Sequence, residues 1–246
     1  MTLAALFGVL ATLSLGRWQL SRAAQKEALQ AAIDQRGRLA PLEGAGWLDL
    51  DPPSLLHRPA RLVGRFVAKQ TLFLDNRQMH GRPGFYVLTP FMLEGSDRAI
   101  VVQRGWVPRN FIDRTALPTI PTPGGTVQVE GRIAPAPAKL FEFEGAEHGP
   151  IRQNVELDSL ERESGLSLLP ISLLQTTPEA AVGGNPVNDG LLRDWPEVVS
   201  GVERHYGYAF QWFGLAALIA FLYVWYQFIV PRRRRGRTVE GGKLHD

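Results

Sequence analysis

The sequence predicts a membrane protein in which two transmembrane α-helices flank one β-rich extracytoplasmic domain, an antiparallel sheet or small barrel of α+β type. Three observations lead to this prediction. An uncharged apolar run covers residues 208–230 and ends at a block of arginines. A second apolar run opens the chain, and short β-rich runs separated by turn residues occupy the middle.

The C-terminal apolar run, residues 208–230, is long enough to cross a bilayer. A helix of this length spans about 34 Å, and a hydrocarbon core is roughly 30 Å thick. Tyrosines and tryptophans near both ends of the run suit the two membrane interfaces. The sequence therefore predicts a second transmembrane helix over residues 206–230, followed by a basic tail over residues 231–246.

The N-terminal apolar run, residues 1–15, is short for a span. A signal peptide is the alternative, but no lysine or arginine precedes the run and no small-x-small cleavage site precedes Arg17. We therefore predict an uncleaved first transmembrane helix over residues 1–20, which a snorkelling Arg17 helps to complete. Residues rich in Ala, Gln, Leu and Lys continue this helix to about residue 36, and Gly37 ends it.

The extracytoplasmic domain is predicted over residues 37–204. Its β-rich runs lie between Arg61 and Arg132 and are separated by turn-forming residues. Those turns are predicted at residues 80–84, 94–97 and 122–125. One short helix over residues 154–163, a final strand over residues 171–175 and a linker over residues 178–196 complete the domain.

The arginine block at residues 232–235 predicts the orientation, because short flanks rich in Lys and Arg stay in the cytoplasm. Both termini are then cytoplasmic, and the domain lies on the periplasmic side of a bacterial-type inner membrane. Arg17, Arg22 and Lys26 on the outer flank of the first helix oppose this orientation. The prediction therefore depends on the second helix.

Composition excludes several kinds of site. The chain has no cysteine, so disulfides and thiolate metal sites are excluded. Its net charge of +3 comes from the tail after Val230, where six basic residues face two acidic ones. Such a run beside a span is typical of a topology signal and a contact with anionic lipid. We expect membrane lipid as a partner and no nucleic acid.

Charge within the domain is uneven. Residues 57–114 carry ten basic and four acidic side chains, whereas residues 115–204 carry six basic and thirteen acidic ones. Either the two halves pair with each other, or the arginines line a surface for carboxylates or an acidic partner.

The sequence contains no catalytic motif. It has no glycine-rich phosphate loop, nucleophile elbow or zinc helix, and Glu142, Glu144 and Glu147 have no partner base in their segment. We therefore expect a binding or assembly protein and not an enzyme.

Four segments carry a family resemblance: GRWQ at residues 16–19, GFYVLTP at 84–90, VVQRGWVP at 101–108 and HYGYAFQWFG at 205–214. In this order they resemble signature segments of the surfeit-locus (Shy-type) cytochrome c oxidase assembly factors. The asparagine usual before Arg-Gly-Trp is Gln103 here. The resemblance implies a non-catalytic factor that assists delivery or insertion of haem a into the catalytic subunit of the oxidase. The resemblance further implies two partners, the catalytic subunit and the haem a synthesis machinery. It also implies that haem a is bound transiently.

A haem in transit is an apolar macrocycle with two propionates and an open iron, so it needs an imidazole, apolar contacts and cations. His205, beside the second helix, is the predicted iron ligand, with an interfacial anchor as its alternative role. Trp212 and Phe213 are predicted to flank the ring. Propionate partners are predicted among three arginines: Arg17, Arg22 and Arg204.

The other motif residues are predicted to be structural. Trp18 is a helix anchor at the bilayer surface, and Gly84 and Gly105 form tight turns. Arg104 closes a buried set of hydrogen bonds, and Trp106 lies in the core.

Three other functions stay open on the sequence alone. The first is a scaffold that holds the nascent oxidase subunit without haem, and the second is a two-span sensor with a ligand-binding outer domain. The third is copper delivery, a weaker hypothesis, since only the Met79-His80 pair supports it.

Overall fold

The computed structural model describes residues 2–110, 112, 117–140, 149–185, 188–196 and 201–230. The chain divides into two units. The membrane unit comprises residues up to Ala31 together with those from Glu197 onward, and the barrel unit comprises Ala32–Pro196. The predicted basic tail and Glu142, Glu144 and Glu147 lie outside the described residues.

Two long helices belong to the membrane unit. Helix α1 covers Thr2–Gly37, and its last turn reaches into the barrel unit. Helix α4 covers Val202–Val224 and continues as a π-helical turn over Trp225–Ile229. Both helices are long and apolar enough to cross a membrane.

The described part of the barrel unit contains two short α-helices, one 3-10 turn at Ala68–Gln70 and eight strands. The helices are α2, Pro52–Leu55, and α3, Leu157–Ser164. The strands are β1 Pro59–Phe66, β2 Leu72–Met79, β3 Arg82–Leu93, β4 Arg98–Pro108, β5 Val127–Ala134, β6 Ile151–Arg152, β7 Ser167–Gln175 and β8 Ala180–Ala181.

Five of the strands close into a barrel in the order β1-β5-β7-β4-β3, because β3 pairs back with β1. Strands β2 and β6 extend the sheet from β3, and β8 adds to β5. The predicted fold class, two apolar helices flanking a β-rich domain, is confirmed. Two pairings, β4 with β7 and β2 with β6, are parallel, so the sheet is not purely antiparallel.

The turn at His80 and Gly81 joins β2 to β3 with two residues of positive φ, 51° and 72°. Two such residues match the twist of an antiparallel hairpin. Strand β7 begins at Ser167, four residues before the predicted start at 171. Its ladder with β4 is irregular around Pro170, which is exposed there and lacks a backbone donor.

Helix α3 begins at Leu157 and not at Asn154 as predicted. The side chain of Asn154 instead bonds the backbone N–H and C=O of Leu140, at 2.6 and 2.8 Å. Asparagine side chains compete with helical backbone bonds in this way, which delays the helix.

The barrel interior forms the main core. Phe66 and Phe91 meet edge to face at 4.9 Å between ring centroids. Around them pack aliphatic side chains from all five barrel strands, among them Leu62, Ile100, Val102, Val129, Ile133 and Leu173. A second cluster lies under α3, where Leu157 and Leu160 cover Leu72, Leu74 and Leu168.

Candidate functional site: the helix pair of the membrane unit

Helices α1 and α4 pack against each other through small residues. The buried positions are Thr12, Gly16 and Ala23 on α1 and Val202, Ala209 and Ala216 on α4. A Cβ added to Gly16 would lie 2.6 Å from a ring carbon of Phe213, so the absence of a side chain there makes room for the ring. Small residues allow membrane helices to approach closely.

Three polar contacts join the same two helices. His205 Nδ1 lies 2.7 Å from Gln19 Oε1, and the hydroxyl of Tyr206 donates to Glu27 at 2.9 Å. At the other end of the pair, the hydroxyl of Tyr223 donates to Thr2 at 3.1 Å. These contacts define an antiparallel pair of helices with a fixed register.

The contact with Gln19 determines the chemistry of His205. An amide oxygen only accepts hydrogen bonds, so the imidazole Nδ1 carries the proton and donates it. The lone pair of a neutral imidazole is then on Nε2, which is the form that coordinates metals. His205 is half-buried in the pair.

Trp212 and Phe213, the two side chains predicted to flank the haem ring, have different surroundings in the structure. Trp212 lies seven residues after His205, which places both on one face of α4, and it is half-buried. Phe213 packs inside the helix pair against Gly16. Of the two rings, Trp212 is therefore the one that shares a face of α4 with His205, about two turns or roughly 10 Å further along the helix axis.

The predicted propionate partners are dispersed. Arg204 and Lys26 both lie near Gly201, since a Cβ added there would be 3.8 Å from Arg204 Nε and 4.0 Å from Lys26 Nζ. Arg22 donates to Gln25 one turn away on its own helix, at 3.0 Å. Arg17 is exposed and lies about 200° around α1 from Gln19, on the opposite face. Trp18 is also exposed, by 54%.

Trp106 of the barrel unit is 1% exposed, and its Nε1 donates to the backbone oxygen of Arg77 at 2.9 Å. Gly84 is not in a tight turn, which corrects the prediction: it lies inside β3, where a Cβ would come within 2.5 Å of the Trp106 ring. The same prediction is wrong for Gly105, which lies inside β4, where a Cβ would come within 2.7 Å of Leu191. Both glycines therefore make room for neighbouring groups.

Arg104 is fully buried and forms an ion pair with Glu179 at 2.5 Å, with side-chain exposures of 0% and 2%. It also donates to the hydroxyl of Thr122 at 2.7 Å and to the backbone oxygen of Pro121 at 2.9 Å. Burial lowers the pKa of Arg104, while Glu179 opposes that shift.

A second ion pair, Arg193 with Asp189, adjoins the first. Burial raises the pKa of Asp189, but hydrogen bonds from Arg193 and the backbone of Leu191 outweigh it and leave the pKa lowered. The first ion pair ties the segment after β7 to β4, and the second is internal to that segment. Sequence analysis gave Gln19 no role of its own, although the residue ends the GRWQ segment, and it missed the acidic partners Glu179 and Asp189, which no local pattern marks.

The described residues include no group of three or more His, Asp or Glu side chains placed to hold a metal ion. His80, the residue on which the copper alternative depended, instead pairs with Asp194 at 2.9 Å between Nε2 and Oδ2.

Two apolar helices and a closed five-stranded barrel, with an imidazole held in the helix pair, define a membrane-held barrel protein without a recognisable catalytic constellation in its described part. The SURF1 family model matches residues 6–217. The chain therefore belongs to the SURF1 family, which confirms the resemblance seen in the sequence.

Known relatives are similar over most of the chain. Surfeit locus protein 1 of Rattus norvegicus is 26% identical over 241 residues, covering 89% of this chain and 72% of its own length. A SURF1-like protein of Rickettsia felis is 28% identical over 220 residues, covering 87% of this chain and 91% of its own length. The cytochrome oxidase assembly protein SHY1 of Saccharomyces cerevisiae is 27% identical over 94 residues, 38% of this chain and 24% of its own length.

Proposed function

We propose that this protein is a non-catalytic assembly factor for cytochrome oxidase that assists delivery or insertion of haem a into the catalytic subunit. Membership of the SURF1 family and the name of the yeast relative support the assembly role. The partners are the catalytic subunit, the haem a synthesis machinery and membrane lipid. The membrane is a bacterial-type inner membrane, with the barrel unit on the periplasmic side and both termini in the cytoplasm.

The observation that carries the haem proposal is the hydrogen bond between His205 and Gln19 within an apolar helix pair. It selects the tautomer in which the lone pair of a neutral imidazole lies on Nε2, and it fixes the orientation of the ring. Metal-ligating histidines commonly use their second nitrogen in this way, because the outer hydrogen bond orients the ring and raises its basicity.

The donor set fits haem a with one protein ligand. His205 would hold the iron through Nε2, and the ring of Trp212 would contact the macrocycle from the same face of α4. Arg204 would pair with propionates through charge-assisted hydrogen bonds. Haem a, when bound, supplies an open iron and an apolar surface, and the protein's task is to bind it and exclude water. Phe213, engaged with Gly16, and Arg17, on the opposite face of α1, serve this site less directly.

A host that lacks its own copy of this protein tests the assembly role. Returning the parent gene should restore the haem a absorption of the terminal oxidase in isolated membranes. The His205→Ala variant should insert equally well, as measured by immunoblot, but should restore at most about a tenth of that absorption. The His80→Ala variant, which removes an imidazole from the barrel unit, is the control and should restore it fully.

Two outcomes would contradict the proposal at different levels. Failure of the parent gene to restore the oxidase, with the protein present in the membrane, would remove the assembly role in that host. Full restoration by His205→Ala would remove haem handling at this residue and leave the scaffold role, in which the protein holds the nascent subunit without haem.

A further inference from the structure

A cluster of basic side chains lies at one end of the barrel unit, outside the helix pair. It comprises His57 and Arg58 before β1, Arg132 on β5 and Arg36 in the last turn of α1. Backbone pairing brings the first three together: the N–H of His57 donates to Ile133 at 2.8 Å, and the N–H of Ile133 donates to Arg58 at 2.9 Å.

Arg36 joins this cluster through two hydrogen bonds. Its guanidinium donates to the backbone oxygens of Pro53 and Leu56, each at 3.0 Å. Leu56 directly precedes His57, so the guanidinium is held beside the imidazole. The φ of His57 is 70°, in the left-handed region that residues other than glycine rarely occupy. Such strained residues are found preferentially at binding sites.

The positive charges of this cluster are not neutralised within the described residues. Neither Arg36, Arg58 nor Arg132 forms an ion pair with a described carboxylate. Elsewhere in the barrel unit, the buried Arg104 and Arg152 are paired with glutamates. Partly buried cations normally have partners, since removing a charge from water is costly.

The effects on pKa agree with this picture of unneutralised charge. Burial lowers the pKa of Arg132, and no carboxylate opposes the shift. Burial, followed by the charges of Arg132 and Arg36, lowers the pKa of His57. An anion placed among these groups would reverse the electrostatic part of these shifts.

The hydrogen-bond donors of the cluster suit an oxyanion. Arg132 donates to Nδ1 of His57 at 3.2 Å, which leaves the imidazole proton on Nε2. Each guanidinium has five N–H groups, and only one nitrogen of Arg36 and one of Arg58 donate to backbone oxygens. Nε of Arg58 is buried and has no hydrogen-bond partner.

We propose that Arg36, His57, Arg58 and Arg132 form a binding site for a phosphate group, supplied either by free phosphate or by the headgroup of an anionic lipid. A phosphate carries multiple acceptor oxygens and up to two negative charges, which matches three guanidinium groups and an N–H donor. The backbone oxygens held by Arg36 and Arg58 require only neutral donors, so they do not explain the collected charge. This site does not depend on the proposed haem site.

The test uses the full chain in neutral detergent, labelled at histidine and titrated with inorganic phosphate. The NMR signals of the five histidines are recorded separately. The signal that is lost in the His57→Gln variant is assigned to His57. We expect a saturable shift of the His57 signal that chloride at equal ionic strength does not produce. Arg132→Gln and Arg58→Gln should each weaken phosphate binding at least tenfold. Arg65→Gln, which changes an exposed arginine of β1 outside the cluster, should change phosphate binding less than twofold.

Nanodiscs distinguish the two sources of phosphate. A His57 shift in discs of phosphatidylglycerol, absent in discs of phosphatidylcholine, assigns the site to a lipid headgroup, whereas a shift that requires added phosphate in both assigns it to the free ion. Arg132→Lys, which keeps the charge but loses the planar fork, replaces Arg132→Gln if that variant melts at a lower temperature. Equal shifts with chloride, or undiminished phosphate binding by Arg58→Gln and the Arg132 variant, would overturn the proposal.

Discussion

Gln19 and Glu179 each determine the state of a neighbouring side chain that the sequence singles out. Gln19 selects the tautomer of His205, and Glu179 supplies the charge that lets Arg104 remain ionised while fully buried. Removing one member of a buried ion pair is costly, because it leaves an unpaired charge away from water. Both partners act over long sequence separations, so they are visible only once the chain is folded.

Replacing Trp106 tests how much a single buried side chain contributes to the stability of the barrel unit. Replacing it with alanine removes a buried ring and the hydrogen bond to Arg77, so the free energy of unfolding should fall by about 3–5 kcal/mol. Thermal melting of the full chain, followed by circular dichroism of the β signal, measures the change. Trp18→Ala, at an exposed tryptophan, is the matched control and should leave the melting temperature almost unchanged. If Trp106→Ala melts like the parent and oxidase assembly still fails, Trp106 belongs to an interaction surface.

At the scale of single residues, sequence reasoning predicted a buried role for Arg104 and Trp106 but misjudged Gly84 and Gly105. Both glycines were assigned to tight turns, whereas the structure places Gly84 in β3, paired with Pro108 and next to the Trp106 ring, and Gly105 in β4. Cross-strand neighbours are set by register, which local composition does not reveal. Glu179 and Gln19 were missed for the same reason, since their partners are 75 and 186 residues away.

Secondary-structure elements followed their local signals closely where those signals were periodic or apolar. The long apolar runs gave α1 and α4, and the turn predicted at 94–97 lies between β3 and β4. Of the turn predicted at 80–84, only His80 and Gly81 lie between β2 and β3, because β3 already begins at Arg82. The closed order of the barrel could not be predicted, because β7 inserts between β5 and β4 and pairs with β4 in parallel. That arrangement depends on long-range packing and not on any local pattern.

The packing of α1 against α4 can be tested by disulfide cross-linking. Because the chain has no cysteine, the pair Gly8→Cys and Ile219→Cys can report on the contact by disulfide formation. We expect efficient cross-linking in the membrane, and we expect Gly16→Val to reduce it several-fold, since the new side chain would displace the Phe213 ring. Gly214→Ala, at a glycine with no neighbour within 4 Å, is the control and should not change it. Equal cross-linking in all variants would contradict the described packing.

The charge of the C-terminal tail predicts the orientation of the whole molecule in the membrane. The tail carries six basic residues after Val230, and such flanks are retained in the cytoplasm. Alkaline phosphatase fused after Gly184 should therefore be active, because the enzyme folds only outside the cytoplasm. The same enzyme fused after Gly242 should be inactive. The reverse pattern would place the barrel unit in the cytoplasm and would exclude the proposed periplasmic role.

The haem content of the purified protein shows whether the helix pair carries haem a through His205. The full chain is purified in detergent from cells that make haem a, and its bound haem is measured by absorption and pyridine haemochrome analysis. We expect haem a in the parent and in His80→Ala, and at least a tenfold lower content in His205→Ala with both helices still inserted. Equal haem content and an identical spectrum in His205→Ala would contradict it and leave His205 as an interfacial anchor.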